Sequence, residues 1–170
     1  KVKEITSKGE LVPDGIMADL IKETLTSSEN KNGFILDGYP RTIEQAKILE
    51  GILSDINDSK VFFIHLFAND DIIVERLTKR RVCSKCGYIV NLDLIEDKDS
   101  CPKCGAVNSF IKRKDDEEEV IRHRLNIYEK TTQKVLEFYK NKVNIIEVDG
   151  TEEVEKVSEN IMTKISEVIN

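Results

Sequence analysis

The stretch VFFIHLF at residues 61–67 is the longest strongly apolar run of the chain, and it decides the fold class. A short, continuous apolar run is typical of a strand that is buried on both faces of a sheet. Two other segments share this character: FIL at residues 34–36, which ends at Asp37, and NIIEV at residues 144–148. We therefore predict three core strands.

Helices are predicted around these strands. Apolar residues recur at helical spacing at residues 16–25, 43–53, 120–139 and 154–168, and residues 120–139 are expected to form one long helix or two consecutive helices. Residues with capping side chains stand where helices are expected to begin: Asp14, Thr42 and Asn69. Asn69 precedes a further helix that we predict at residues 70–79. Strands that alternate with helices predict an α/β fold with a parallel sheet flanked by helices.

Composition narrows the class of protein. The chain has 170 residues, of which 39% are apolar and 34% are charged, and its net charge is −6. These values fit one globular domain with a small insert, and they exclude disordered and collagen-like chains. No apolar run approaches the roughly 18 residues of a membrane span. The acidic balance argues against a nucleic-acid binder that works through bulk charge but leaves a local basic site open.

All four cysteines lie within 22 residues, in the segment 82–112, which lacks helical periodicity and forms the predicted insert. They form two Cys-x-x-Cys pairs, each followed by a glycine: Cys83, Cys86, Cys101 and Cys104. Four thiolates in two such knuckles are a tetrahedral ligand set for zinc, and a closed set makes the zinc structural. Two redox dithiols are the alternative interpretation. Cysteines of this kind also predict a reducing compartment, cytoplasmic or organelle-matrix.

The chain has only seven arginines, and all except Arg41 bracket the cysteine insert. Because a guanidinium binds phosphate through two parallel hydrogen bonds, bringing these residues together would form a polyphosphate site inside an acidic protein. The alternative is pairing with the acidic run at residues 115–119, and for Arg81 and Arg122 the two interpretations stay equally open. We expect a functional role for Arg80, Arg113 and Arg124.

Asp37 follows a predicted strand, and ligands collect at the carboxyl ends of strands in open α/β sheets. Its carboxylate is a candidate for orienting a hydrated Mg²⁺. Gly38 allows close backbone approach, and Pro40 fixes the turn that presents Arg41. Gln45 stands at capping-box spacing from the preceding cap, so it either caps the helix or contacts a ligand.

Five short motifs follow one another along the chain: KGELVPD at residues 8–14, GFILDGYPRT at 33–42, RLTKRR at 76–81, RKDD at 113–116 and RHRL at 122–125. In this order they resemble adenylate kinases of the long type, whose lid carries zinc, and the correspondence covers essentially the whole chain. The resemblance implies a P-loop-kinase-like fold and the reversible reaction ATP + AMP ⇌ 2 ADP with Mg²⁺. It also implies the end of an AMP-binding segment at residues 1–12, a core at 13–78 and 117–170, and a zinc-binding lid at 79–116.

The resemblance implies roles for individual residues as well. Those expected to bind AMP are Glu10, Leu11, Val12, Gly38, Tyr39, Pro40, Arg41, Gln45, Arg113 and Arg124, with Gln45 contacting the base. Those expected to bind ATP are Arg76, Arg80, Ile89, Val90, Gly150 and Glu152. The expected catalytic residues are Arg76, Arg80, Arg113 and Arg124. Asp37 would hold Mg²⁺ through water.

The chain departs from this family in three respects. No Gly-x-x-x-x-Gly-Lys-[Ser/Thr] phosphate loop occurs in the 170 residues. The chain begins at Lys1, so we expect it to be a piece of a longer protein and to be inactive by itself. The strand that opens the family's sheet would then be missing, and the apolar strands at residues 34–36 and 61–67 would have bare edges. The lid also lacks the usual Pro-rich stretch, and Ile89 and Val90 replace a polar or aromatic pair, which leaves the donor base open.

Two other hypotheses stay open. One is a nucleoside monophosphate kinase with a different base preference. The other is a non-catalytic zinc-ribbon module that binds nucleotides or nucleic acid, which the net charge and the lack of interleaved aromatic and basic residues disfavour. We expect a cytoplasmic monomer whose partners are ATP, AMP and ADP, with no membrane or nucleic acid. No role is assigned to His65 or His123.

Overall fold

The computed structural model describes residues 2–27, 33–55 and 60–169. The helices are α1 (Val2–Ser7), α2 (Asp14–Leu25), α3 (Ile43–Ser54), α4 (Asp70–Lys79), α5 (Glu118–Ile127), α6 (Gln133–Tyr139) and α7 (Val154–Ile169). The strands are β1 (Phe62–Phe67), β2 (Arg80–Cys83), β3 (Ile89–Asn91), β4 (Phe110–Ile111) and β5 (Asn144–Asp149). A 3-10 turn, Lys114–Asp116, precedes α5, and a π turn, Tyr128–Thr132, joins α5 to α6.

The chain divides into two compact units. The ribbon unit contains residues 1–11 and 69–125, and the sheet unit contains residues 12–68 and 126–170. The boundaries that the sequence suggests after residues 12, 78 and 116 remain predictions. Within the described ranges, none of the helices has the length and apolar character that crossing a bilayer requires.

The sheet unit contains a parallel pair of strands, as predicted. Strand β1 pairs with β5 in a register that runs from Phe62 opposite Asn144 to Phe67 opposite Asp149. Just beyond the carboxyl end of this pair, the Gly150 N–H donates to the Phe67 carbonyl oxygen (2.8 Å). Two of the three predicted core strands are therefore confirmed, and they place the 149–152 loop at the carboxyl end of the sheet.

The faces of β1 are not equally buried. Phe63 packs on a core cluster of the sheet unit, whereas Ile64 and Leu66, which point to the other face, are exposed. Because successive side chains of a strand point to opposite faces, this alternation means that one face carries most of the burial. The expectation that the run is buried on both faces was wrong in this respect.

The predicted strand at residues 34–36 was also wrong. These residues form no strand and pair with none of the strands in the described part of the chain. Phe34 and Leu36 pack against an apolar cluster of α2 and α3, but Ile35 is 94% exposed. An apolar run becomes a strand only when a neighbouring strand satisfies its backbone groups, and no described segment does so here.

The predicted helix caps were two-thirds right. The Thr42 hydroxyl oxygen accepts from the Gln45 N–H (3.1 Å), and the Asn69 amide oxygen accepts from the Asp71 N–H (2.8 Å), which confirms both caps. Asp14 is not a cap, because Pro13 occupies that position and Asp14 begins the helix. Its carboxylate accepts instead from side chains of the distant α3 region.

Two apolar clusters stabilise the sheet unit. In one, α2 and α3 share buried aliphatic residues with Tyr39: Ile21, Leu25, Leu49 and Ile52. In the other, Val135 and Tyr139 of α6 pack on Ala46 of α3. The Tyr139 hydroxyl donates to the Ala46 carbonyl (3.2 Å), and burial raises the pKa of Tyr139 to about 12. Helix α3 thus takes part in both clusters.

The cysteine insert is a small antiparallel sheet in the ribbon unit. Strand β2 is central, with β3 on one side and β4 on the other. Arg80 lies opposite Asn91, and Cys83 lies opposite Phe110. A sheet this small buries little apolar surface, so its stability must come largely from other interactions.

Truncation of Leu49 tests the role of the α2 and α3 cluster. Leu49 is 6% exposed, and Leu49→Ala should lower the free energy of unfolding by about 2–5 kcal/mol, because it removes buried atoms and leaves a cavity. Leu20→Ala is the control, since Leu20 is 55% exposed on α2, and it should change stability by less than about 0.5 kcal/mol. Urea denaturation followed by circular dichroism measures both, and equal losses would contradict the assignment of this core.

Candidate functional site

The four cysteines converge in the ribbon unit. Their sulfur atoms all lie within 4.8 Å of one another. The Sγ atoms of Cys83 and Cys104 are 3.7 Å apart, as are those of Cys86 and Cys101. A tetrahedral zinc ion with bonds of about 2.3 Å to sulfur requires sulfur atoms about 3.8 Å apart. The cluster therefore fits a single zinc ion, and four protein ligands would complete its coordination.

The two knuckles have the same backbone pattern. In the first, the Gly87 N–H donates to the Cys83 carbonyl (2.9 Å), and in the second the Gly105 N–H donates to the Cys101 carbonyl (2.8 Å). Both glycines have φ of +71°, which other residues rarely adopt. The glycine after each cysteine pair is therefore required by the turn that aims both sulfurs at one point.

The environments of the four sulfurs differ. Cys83 and Cys101 are buried, whereas Cys104 is exposed. Cys83 Sγ lies 3.2 Å from the Ser109 hydroxyl oxygen, and this hydrogen bond, against the opposing effect of burial, lowers the pKa of the Cys83 thiol to about 6. A lowered thiol pKa favours the thiolate, which is the form that binds a metal.

Arg80 is fixed by a buried carboxylate. Its Nε donates to Asp116 Oδ2 (3.0 Å) and its Nη2 donates to Asp116 Oδ1 (2.5 Å), a bidentate pair. Asp116 is 0% exposed. Because breaking such a pair would leave a buried charge without a partner, Asp116 determines where the Arg80 guanidinium lies.

Asp115 brings together two further arginines that the sequence singled out. Arg113 donates to both of its carboxylate oxygens (2.9 and 2.6 Å), and Arg124 Nη1 lies 3.6 Å from Oδ2. Burial opposes the ionisation of Asp115, but Arg113 and then Arg124 hold its pKa below its usual range. The arginines therefore do pair with the acidic run, and the pairing gathers Arg113 and Arg124 around one carboxylate.

The remaining arginines of the ribbon unit have local partners. Arg81 donates to the carbonyl oxygens of Thr78 and Arg80, and Arg122 donates to Glu118 one helical turn away. These contacts support the structural interpretation for Arg81 and Arg122. Arg76 lies exposed on α4.

Residues 8–11 lie against α5. Gly9 has φ of +79°, and a Cβ added there would be 2.7 Å from Arg124 Cγ. Glu10 Oε1 lies 2.8 Å from His123 Nε2. The predicted AMP-binding residues Glu10 and Leu11 are thus in the same unit as Arg113 and Arg124, whereas Val12 begins the sheet unit.

The DGYPR segment, residues 37–41, belongs to the sheet unit, and Asp37 there is exposed. Gly38 has φ of +70°, its carbonyl accepts from Arg41 Nε (2.6 Å), and a Cβ added to it would lie 2.6 Å from Arg41 Nη2. Tyr39 is buried, and its bond to Pro40 is cis. Glycine is therefore required for the folded position of the Arg41 side chain.

Gln45 is 3% exposed, and its amide is bound on both sides. Oε1 accepts from the Arg41 N–H (2.8 Å), and Nε2 donates to Asp14 Oδ1 (2.8 Å), which also accepts from the Thr42 hydroxyl (3.1 Å). Gln45 thus accepts from the N–H one residue before the cap Thr42, whereas the predicted capping box uses the N–H of the cap itself. The same contacts fix the orientation of its amide.

The residues expected at ATP lie in both units. Ile89 is exposed on β3, whereas Val90 is buried. Gly150 follows β5, and the Glu152 carboxylate accepts from Asn160 Nδ2 (2.6 Å) on α7.

Comparison with known proteins identifies the family. A family model described as Adenylate kinase matches residues 1–144. The chain belongs to the adenylate kinase family. Its homologues are phosphotransferases, which agrees with the enzyme class that the motifs imply.

Three relatives named adenylate kinase show the extent of the match. The protein from Methanocella arvoryzae is 40% identical over 167 residues, which are 97% of this chain and 76% of that protein. The protein from Thermosipho melanesiensis is 39% identical over 167 residues, 97% of this chain and 77% of that protein. The protein from Thermotoga maritima is 40% identical over 159 residues, 92% of this chain and 71% of that protein.

Sequence reasoning missed some of the contacts described above. Asp14 was expected to cap a helix, and Ser109 and the His123 contact to Glu10 were not anticipated. Asp115 and Asp116 appeared only as part of an acidic run. Ser109 follows another polar residue, Asn108, and nothing in the local sequence pattern identifies its contact to Cys83.

Loss of Asp116 should be costly. Asp116→Ala leaves the Arg80 guanidinium, whose side chain is 21% exposed, without its carboxylate partner, and we expect the free energy of unfolding to fall by about 1–3 kcal/mol. Glu118→Ala breaks the exposed pair with Arg122 and should cost less than about 1 kcal/mol. Urea denaturation of both variants makes the comparison, and similar small losses would show that Asp116 does not anchor Arg80.

Proposed function

We propose that this protein catalyses the reversible, Mg²⁺-dependent transfer of a phosphoryl group between ATP and AMP, giving two ADP. The observation that carries the proposal is the gathering of Arg80, Arg113 and Arg124 around the carboxylates of Asp115 and Asp116, in a chain of the adenylate kinase family. Guanidinium groups held together in this way suit the oxygens of transferring phosphates.

One of the two acidic residues, Asp115, uses guanidinium donors that a nucleotide phosphate can also use. Asp115 neutralises Arg113 and Arg124, and a phosphate offers these two residues oxygen acceptors of the same kind. Arg80 keeps its buried pair with Asp116, which uses Nε and Nη2 and leaves Nη1 to donate to ATP phosphates. Arg76 assists on the ATP side. Phosphoryl transfer needs little covalent chemistry from a protein, so positioning and charge stabilisation supply most of the rate.

AMP binding involves two groups of residues. Backbone atoms of residues 10–12 contact the adenine, and Gly38, Tyr39, Pro40 and Arg41 hold the nucleotide. Gln45 uses one amide N–H and one carbonyl lone pair for its two contacts, which leaves one donor and one acceptor. Adenine presents an acceptor next to a donor, so this remaining pair is complementary to it.

The ATP side and the ions complete the proposal. Ile89, Val90, Gly150 and Glu152 lie near the ATP base and ribose. Asp37 would hold Mg²⁺ through water, and the bound ion would neutralise charge on the phosphates. Cys83, Cys86, Cys101 and Cys104 would hold zinc, which would stiffen the lid at residues 79–116, and closure of this lid over bound nucleotides would exclude water. We further propose that the protein acts as a cytoplasmic monomer.

The experiment is a nucleotide panel with the complete polypeptide. AMP, GMP, CMP and UMP are offered as acceptors, with ATP and GTP as donors, and product diphosphates are quantified. We expect the turnover rate with AMP as acceptor and ATP as donor to exceed the turnover rate with each of the other acceptors. Efficient use of another monophosphate would support the different base preference, and no turnover with any acceptor would overturn the proposal.

Neighbouring arginines on α5 provide a matched pair of variants. Arg124→Lys removes the planar guanidinium group that we propose contacts the transferring phosphoryl group. We expect kcat to fall about 10²–10³-fold, which is the typical effect of losing one preorganised hydrogen-bond donor. Arg122→Lys changes a residue paired with exposed Glu118, and kcat should stay within about twofold. Steady-state kinetics with ATP and AMP distinguish the two, and comparable kcat values would contradict the role of Arg124.

A further inference from the structure

Ser109 is a buried polar residue that the catalytic proposal does not use. It is 3% exposed, and its hydroxyl oxygen lies 3.2 Å from Cys83 Sγ and 2.9 Å from the Ala106 carbonyl oxygen. A serine hydroxyl has one proton and two lone pairs, so it can donate to one of these neighbours at a time. Which one receives the proton depends on the state of Cys83.

A protonated Cys83 and a metal-bound Cys83 require opposite orientations of the Ser109 O–H. A thiol can donate to Ser109, which then donates to the Ala106 carbonyl. A thiolate on a metal has no proton, so only a Ser109 O–H that points to the sulfur avoids placing lone pairs against negative charge. The Ala106 carbonyl still accepts from the Cys101 N–H (3.0 Å), so turning the hydroxyl leaves no buried carbonyl without a partner.

Ser109 also connects the two knuckles. Its carbonyl accepts from the Ser84 N–H (2.8 Å) in the first knuckle, and Ala106 closes the second knuckle. The knuckles repeat with an offset of 18 residues, and Asn91 occupies the place equivalent to Ser109. Asn91 uses its amide oxygen to accept from the Asp93 N–H (2.9 Å). The hydroxyl contact to a ligand sulfur is therefore a particular feature of Ser109 and not of the repeated turn.

We propose that Ser109 is a positioning residue of the metal centre, whose hydroxyl donates to the metal-bound thiolate of Cys83 and strengthens zinc binding. The inference rests on the zinc site of the proposed function. Partners of metal ligands typically change metal affinity 10–100-fold when they are removed. A loss in that range is expected for a variant without the hydroxyl.

Zinc affinity is measured on the full chain by competition with a chromophoric chelator. Ser109→Ala should weaken zinc binding about 10–100-fold. Ser84→Ala removes a hydroxyl from an exposed position beside the same cysteine and should leave the affinity unchanged. If the unsubstituted chain binds no zinc, the zinc site itself fails. If it binds zinc and Ser109→Ala binds it equally well, only the role of Ser109 fails.

Cobalt substitution separates a hydrogen bond from a packing effect. A thiolate that loses a donor gives up charge to the metal more easily, so the sulfur-to-Co²⁺ charge-transfer band of Ser109→Ala should move to lower energy. Ser109→Thr keeps the hydroxyl and should keep the band position of the unsubstituted chain. A weakened affinity with an unshifted band, or the same shift in Ser109→Thr, would overturn the proposal.

Discussion

Four sulfur atoms within 4.8 Å of one another are the constraint on which the ribbon unit depends. Four thiolates this close repel one another unless a cation lies between them. The strands they connect have only four, three and two residues, too few to stabilise a sheet by burial alone. Because Arg80 begins the central strand, the constraint that holds the sulfurs also places the guanidinium group of Arg80, for which we propose a role in phosphate binding.

The carboxylates beside the arginines differ in how firmly they hold their partners. Asp116 is fully buried, so its pair with Arg80 is costly to break. The side chain of Arg113 is 43% exposed and that of Asp115 is 15% exposed, so water and other anions reach this pair more easily than the pair of Arg80 and Asp116. The site therefore combines one fixed guanidinium with others that can change partners.

Local chemistry made much of the molecule predictable from its sequence. Cysteine spacing predicted the sulfur cluster, and the caps at Thr42 and Asn69 followed from short-range rules. Pairings across long separations did not: Asp14 meets Gln45 31 residues away, and Glu10 meets His123 113 residues away. Residues 34–36 looked like a strand because apolar content does not reveal whether a neighbouring strand is present. Asp115 and Asp116 were visible as charges, but only the folded chain shows which arginine each one holds.

The two cysteine knuckles lie on either side of one connecting segment, and this position determines the effect of cleaving a peptide bond within that segment. Cys83 and Cys86 precede the connection at residues 92–100, whereas Cys101 and Cys104 follow it. A metal on all four sulfurs would therefore act as a crosslink between the two sides. Cleavage of one peptide bond in this connection would leave both fragments attached to the same ion, so the ribbon would survive a nick that separates its halves in sequence.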